Sequence, residues 1–198
     1  VHPQTWPKDL DYNGKKVLVI GSGATTATLV PAMAAECEHV TVLQRSPTYF
    51  IPGRNANELA DTLRQLEVNE EWIHEIVRRK ILFDGQQVTD MAFQYPDMVK
   101  DALLEGIKPL LPEGYDIAKH FTPKYRPWQQ RIAFVPEGDL FAGIKAGKAS
   151  MVTDEIETFT ETGVVTKDGT VIDADIVVTA TGFHLSVLGD IPFDLDGN

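Results

Sequence analysis

Lys16-Val17-Leu18-Val19-Ile20 is a short, continuous apolar run rich in β-branched residues, and Gly21-Ser22-Gly23 follows it directly. Such a run suits a strand buried on both faces of a parallel sheet better than an alternating, half-solvated hairpin strand. The glycines break the strand, and a small-residue segment from Ala24 to about Glu36 reads as a helix. Pro31 lacks an N–H, so it is expected to bend that helix or to mark its first turns. His39-Val40-Thr41-Val42-Leu43 reads as a second strand. Strand, glycine turn, helix, strand is a βαβ unit with a right-handed crossover, which requires helices over the sheet.

The pattern changes over about Asn55 to Lys124, where apolar residues recur at helical spacing. Leu59, Leu63 and Leu66 fall on one face, as do Trp72/Ile73, Ile76/Val77 and Ile81, with a third stripe at Met98/Val99, Ala102/Leu103 and Ile107. Asn69 before Glu70-Glu71 is a helix start. Pro109, Pro112, Pro123 and Pro127 punctuate a return to loops. The end of the chain is β-rich. Gly163–Thr166 and Thr170–Ile172 flank Asp168-Gly169, a hairpin turn, and Asp175–Ala180 is another buried-strand pattern. The expected fold is α/β: a Rossmann-like nucleotide-binding parallel sheet with an antiparallel β-hairpin and a helical insertion. The sheet domain is assigned to residues 1–54 and 124–198, and the insertion to 55–123.

Gly21-Ser22-Gly23-Ala24-Thr25-Thr26 has the form of a dinucleotide-binding turn. The first glycine permits a tight turn, the second lets backbone approach a pyrophosphate, and the sixth position needs a small residue for helix–strand packing. Thr26 departs from the usual glycine or alanine there. The pyrophosphate is expected on the helix N-terminus, where free N–H groups and the dipole favour anions. The end of the second strand chooses between dinucleotides. An NAD site usually has Asp or Glu there, whereas this chain reads Gln44-Arg45-Ser46. Arg45 is suited to pair with a 2′-phosphate and Ser46 to donate a hydroxyl, so NADP(H) is favoured over NAD.

Charge and composition exclude other classes. The 198 residues carry a net charge of −11, which disfavours nucleic acid and anionic membranes as partners. The acidity is concentrated at the end: residues 137–198 hold twelve acidic and three basic side chains, residues 1–54 four and five. No apolar run is long enough for a membrane span. The one cysteine, Cys37, leaves no internal disulfide or CxxC pair and reads as a packed thiol. The five histidines (His2, His39, His74, His120, His184) show no metal-ligand spacing. No Gly-x-Ser-x-Gly elbow occurs. The chain opens at Val1 in a polar, proline-containing segment without an export signal and stops at Asp196-Gly197-Asn198 in mid-loop. It is therefore expected to be part of a longer, cytoplasmic polypeptide.

Four motifs together resemble the NADPH-binding part of flavin-containing monooxygenases of the Baeyer–Villiger type. His2-Pro3-Gln4-Thr5-Trp6-Pro7 is similar to the second half of that family's FxGxxxHxxxW fingerprint. The glycine turn comes next. Tyr125-Arg126-Pro127-Trp128-Gln129-Gln130-Arg131 and Asp139-Leu140-Phe141 resemble the subgroup that contains the ethionamide-activating monooxygenases. Ala180-Thr181-Gly182-Phe183 is similar to the segment where the family's chain crosses back towards its FAD domain.

The resemblance implies roles for residues. His2 and Trp6 would lie at an interdomain linker. Arg131 aligns with the family arginine that sits over the flavin and stabilises the negatively charged peroxyflavin, a case of electrostatic preorganisation. Gln130 stands where many members have a lysine that helps hold the 2′-phosphate, which leaves more of that task to Arg45. Ala180, Thr181 and Gly182 would complete the cofactor-binding set. The intact enzyme would carry FAD, mostly on an FAD domain outside this chain, and use O₂ to oxygenate a small organic substrate, by Baeyer–Villiger insertion into a ketone or by heteroatom oxidation. By itself the chain is expected to be inactive. The alternatives are the NADP-binding domain of another two-dinucleotide flavoprotein, or a non-catalytic NADP-binding sensor.

Overall fold

The computed structural model describes residues 1–196; Gly197 and Asn198, the end of the expected closing loop, lie outside the described residues. In chain order the elements are β1 (Lys16–Ile20), α1 (Ala24–Ala34), β2 (His39–Gln44), β3 (Phe50–Gly53), α2 (Glu58–Gln65), α3 (Glu70–Gln94), α4 (Pro96–Ile107) and α5 (Ile117–Phe121). The second half contains β4 (Ala133–Pro136), α6 (Asp139–Lys145), β5 (Ala149–Thr153), β6 (Ile156–Thr160), β7 (Gly163–Thr166), β8 (Val171–Asp173) and β9 (Ile176–Thr179).

The fold is α/β. Its centre is a four-stranded parallel sheet in the order β5-β2-β1-β9. Numbered along the chain, these strands run 3-2-1-4, the first four of the doubly wound order 3-2-1-4-5-6, in which a ligand sits beyond the carboxyl ends where the strand order reverses. The apolar run read from sequence becomes the inner strand: Val17, Leu18 and Val19 are all buried, and β1 pairs with β2 on one side and β9 on the other. Burying each such side chain contributes roughly 1.5–3 kcal/mol.

The two faces are covered differently. Val17, Val19, Val40, Val42 and Val178 pack with Val30 and Met33 of α1 and with Leu140, Phe141 and Ile144 of α6. Leu18 and Leu43 point to the opposite face, against Val164 and Ile172. That second cover is a three-stranded antiparallel sheet, β6-β7-β8, in which the expected Asp168-Gly169 hairpin gains a third strand. Gly169, at φ +86°, takes the left-handed conformation the turn requires.

Pro31 is the eighth residue of α1 and does not lie in its first turns. Its missing N–H leaves the Ala27 carbonyl without the usual helical donor. Asn57 and Asn69 cap α2 and α3, their side-chain oxygens accepting from the N–H groups of Ala60 and Glu71 at 3.0 and 2.9 Å.

The helical stripes hold only in part. Ile73 is buried, but Leu66, Trp72, Ile76 and Ile81 are exposed, as is Met98 on α4. Helical geometry gives the reason. Successive residues turn by about 100°, so Trp72 and Ile76 share a stripe well away from that of Ile73 and Val77. The helical segment emerges from a two-stranded parallel ladder that the sequence did not suggest: β3 and β4 pair in register from Phe50 with Ala133 to Gly53 with Pro136.

Candidate functional site

The carboxyl ends of β1 and β2 meet the turn into α1. Gly21 has φ +118°, and a Cβ placed on it would lie 2.4 Å from the carbonyl oxygen of Ala180. Its N–H donates to the Leu43 carbonyl at 2.8 Å, which ties the turn to the end of β2. Gly23 caps α1 and differs from Gly21: its φ is −85°, and a Cβ there would meet nothing within 4 Å. The protein's own packing does not require that glycine. Ala24 and Thr25 form the first turn of α1, with Ala24 exposed and Thr25 half-buried.

Thr26 explains its own departure from the usual pattern. It is buried, and its hydroxyl donates to the Gly21 carbonyl at 3.0 Å, so the extra polar atom is satisfied inside the helix–strand contact. Ser22 reaches the loop after β2. Its hydroxyl lies 3.1 Å from that of Thr48 and 3.4 Å from the Ser46 carbonyl.

A cleft of about 420 Å³ opens over this turn, lined by Gly21, Ser22, Arg45, Ser46 and Thr181 together with residues at the ends of β1 and β2. Five of the sequence-predicted residues thus share one wall system. Arg45 and Ser46 are exposed, and Arg45 joins none of the ion pairs among the described residues. Ala180 is buried beneath the turn, and Gly182, at φ +133°, is exposed after it.

Gln44, which stands where an NAD site has an acid, has a structural task. Its side chain is buried, and its amide donates to the His120 carbonyl at 2.7 Å and to the Thr153 hydroxyl at 2.8 Å. His120 Nδ1 lies 2.9 Å from the same hydroxyl. Burial lowers the His120 pKa, Lys119 lowers it further, and Asp116 opposes them. The neutral ring is therefore favoured. This cluster fastens α5 to β2 and β5 directly behind Arg45. The only hint of it in sequence is a neutral polar residue at the end of an apolar strand.

Gln130 and Arg131 do not line the cleft. They are exposed on the loop before β4. That loop is anchored from two sides: the Tyr49 hydroxyl donates to the Tyr125 carbonyl at 2.9 Å, and the Arg126 guanidinium stacks 3.8 Å over the Phe93 ring of α3. Trp128, two residues after Arg126, has φ +61°, a left-handed conformation that costs a non-glycine residue about 1–2 kcal/mol. His2 and Gln4 are joined to the residues after β9 by hydrogen bonds. His2 Nε2 lies 2.9 Å from the Gly182 carbonyl, and Gln4 exchanges hydrogen bonds with the His184 backbone at 3.0 and 3.3 Å. The Gln4–His184 exchange was not foreseen. Trp6 packs against the main core. No group of three or more His, Cys, Asp or Glu side chains among the described residues could hold a metal ion, and no helix there is long and apolar enough to cross a membrane.

Over its whole length the chain is 44% identical to the FAD-containing monooxygenase EthA of Mycobacterium tuberculosis, covering 40% of that protein. The chain is related to FAD-containing monooxygenases. It is likewise 46% identical, over its whole length, to the probable FAD-binding monooxygenase AlmA of Acinetobacter baylyi, of which it covers 39%. The chain thus spans about 40% of the length of the monooxygenases it matches. Among solved structures, oxidized steroid monooxygenase bound to NADP superposes with a TM-score of 0.65 at 26% identity, over 93% of this chain and 42% of that one. No protein-family profile matches the chain. The likeness to monooxygenases runs through the sheet, the helical segment and the hairpin alike.

Proposed function

We propose that this chain is the NADPH-binding part of an FAD-dependent monooxygenase that oxygenates a small organic substrate with O₂ in the cytoplasm. Residues 1–54 and 124–198 form the nucleotide-binding domain in this reading, and 55–123 its helical insertion. The observation that carries it is the cleft that brings the glycine turn and Arg45 together, in a chain similar along its full length to FAD-containing monooxygenases.

The residues fit a phosphorylated dinucleotide. The open space at Gly23 is room for a pyrophosphate, a space its missing Cβ would otherwise occupy. The N–H groups at the start of α1 face it with the positive end of the helix dipole. Arg45 and Ser46 receive the 2′-phosphate, while Gln130 lies outside this cleft. Thr181 contributes to the cleft wall, with Ala180 buried beneath the turn and Gly182 next in the chain. Arg131 is held on its anchored loop as a fixed cation for the flavin side of the site. Bound NADPH would supply hydride chemistry in the intact enzyme, and this chain's residues would contribute binding, orientation and field.

The test is a calorimetric titration of NADPH and NADH against the chain and its Arg45→Ala variant. The substitution is expected to cost about 1.5–3 kcal/mol for NADPH, the range for a charged hydrogen bond, and little for NADH. Equal losses for both nucleotides refute the 2′-phosphate role.

A further inference from the structure

Next to the proposed phosphate site the chain places two carboxylates. Arg45, Asp154 and Glu155 line one cleft of about 260 Å³, together with Ile20, Leu43 and Ile156. An anion binding at Arg45 would therefore meet two like charges, and a free carboxylate there would also compete for the guanidinium. Both acids are already engaged. The Lys167 ammonium lies 2.5 Å from Glu155 Oε2, and the Lys167 N–H donates to the Glu155 carbonyl at 2.9 Å. The Asp168 N–H donates to Asp154 Oδ2 at 2.8 Å, while Asp154 Oδ1 accepts from the Glu155 N–H at 2.8 Å. The Asp168 carboxylate is turned inward to the Thr166 hydroxyl and the Thr170 N–H. Every one of these donors comes from the β7–β8 hairpin or the β5–β6 connection.

We propose that Lys167 is a specificity-determining residue, which by holding Glu155 keeps Arg45 free for a 2′-phosphate. The inference rests on the NADPH reading above. Lys167 acts through Glu155, so it is a positioning residue and not a ligand contact. The acidity of Glu155 fits the arrangement: the hydrogen bond and charge of Lys167 hold its carboxyl below the usual range, burial opposes them, and Arg45 lowers it further. Glu157 and Asp154 also bear on Lys167, so loss of this one cation leaves the hairpin edge strongly negative.

The test measures dissociation constants for NADPH and NADH on the full 198-residue chain and on Lys167→Met, Lys167→Arg and Lys167→Met/Glu155→Gln. Lys167→Met is expected to weaken NADPH about two- to fivefold, the reach of a partly exposed ion pair, and to leave NADH unchanged. The effect shrinks as salt is raised. Lys167→Arg retains the preference, and the double variant regains it, which also shows that the hairpin still folds. An unchanged NADPH:NADH ratio in Lys167→Met overturns the proposal. A double variant as weak as Lys167→Met overturns it too, since Lys167 would then act on the nucleotide directly. If Arg45→Ala abolishes the preference while Lys167→Met does not, only this inference fails. If Arg45→Ala changes nothing, or the parent chain binds no NADPH, the NADPH reading fails with it.

Discussion

Two glycines two residues apart are expected to answer differently to the same substitution. In Gly21→Ala the new methyl would lie 2.4 Å from the Ala180 carbonyl oxygen and 3.0 Å from its carbon, both backbone atoms of the neighbouring strand end, with φ at +118°. Neither the conformation nor the contact can relax without moving the end of β9. Left-handed strain of about 1–2 kcal/mol adds to overpacking of about 1–3 kcal/mol, for a loss of roughly 2–5 kcal/mol. In a domain of this size that lowers Tm by roughly 4–20 °C. In Gly23→Ala the methyl meets nothing and φ is −85°, so stability should change by less than about 1 kcal/mol. That variant should instead lose about tenfold in NADPH affinity, about 1.4 kcal/mol, because the methyl takes the space assigned to the pyrophosphate. Thermal melts followed by circular dichroism, paired with NADPH titration, read both quantities. A Gly21→Ala protein that melts with the parent refutes the steric argument. A Gly23→Ala protein that binds NADPH as tightly as the parent refutes the placement of the pyrophosphate.

Two further outcomes concern groups inside the fold. Thr26→Val removes the hydroxyl that donates to Gly21 while nearly keeping the shape, and should lower stability in urea by about 1 kcal/mol; an unchanged midpoint would show that the bond contributes nothing. Burial, aided by Glu36, raises the Cys37 pKa, so the neutral thiol persists through the usual thiol range and reactive thiolate forms only above it. At about pH 8 the folded chain should react with a disulfide reagent at least about tenfold more slowly than the urea-unfolded chain, and equal rates would contradict the packing.

The parts of the fold that could be read from sequence are those in which neighbouring residues carry the signal. Val17 to Ile20 followed by Gly21 announced both the strand and the turn, because a β-branched run ending at glycine has few other uses. Asp168-Gly169 likewise announced a hairpin whose left-handed glycine the structure contains. The β3–β4 ladder was silent for two reasons. Each strand has four residues and includes a proline, which argues against a strand, and the partner lies beyond the whole helical segment. β6 was missed because Ile156–Thr160 is exposed for most of its length and so has no buried alternation to betray it. At the site, Arg45 and the glycines were legible as residue types. The task of Gln44 was not, since its partners His120 and Thr153 come from distant elements. The α3 stripes failed in a third way: apolar neighbours such as Trp72 and Ile73 were counted together although a helix sends them in different directions.

The β3–β4 ladder bears on the two arginines. Arg45 stands five residues before Phe50, Arg131 two residues before Ala133, and those two strand residues are direct partners. The pairing therefore acts as a ruler between the arginine proposed for the 2′-phosphate and the arginine proposed for the flavin side. A slip of one residue would shift Ala133, and the loop that carries Arg131 into it, by about 3.3 Å along β3. Residues may be added to or removed from the helical segment without touching that spacing, because its length does not enter the register. The helical segment is thus free to vary in length while the pairing of Phe50 with Ala133 stays in place.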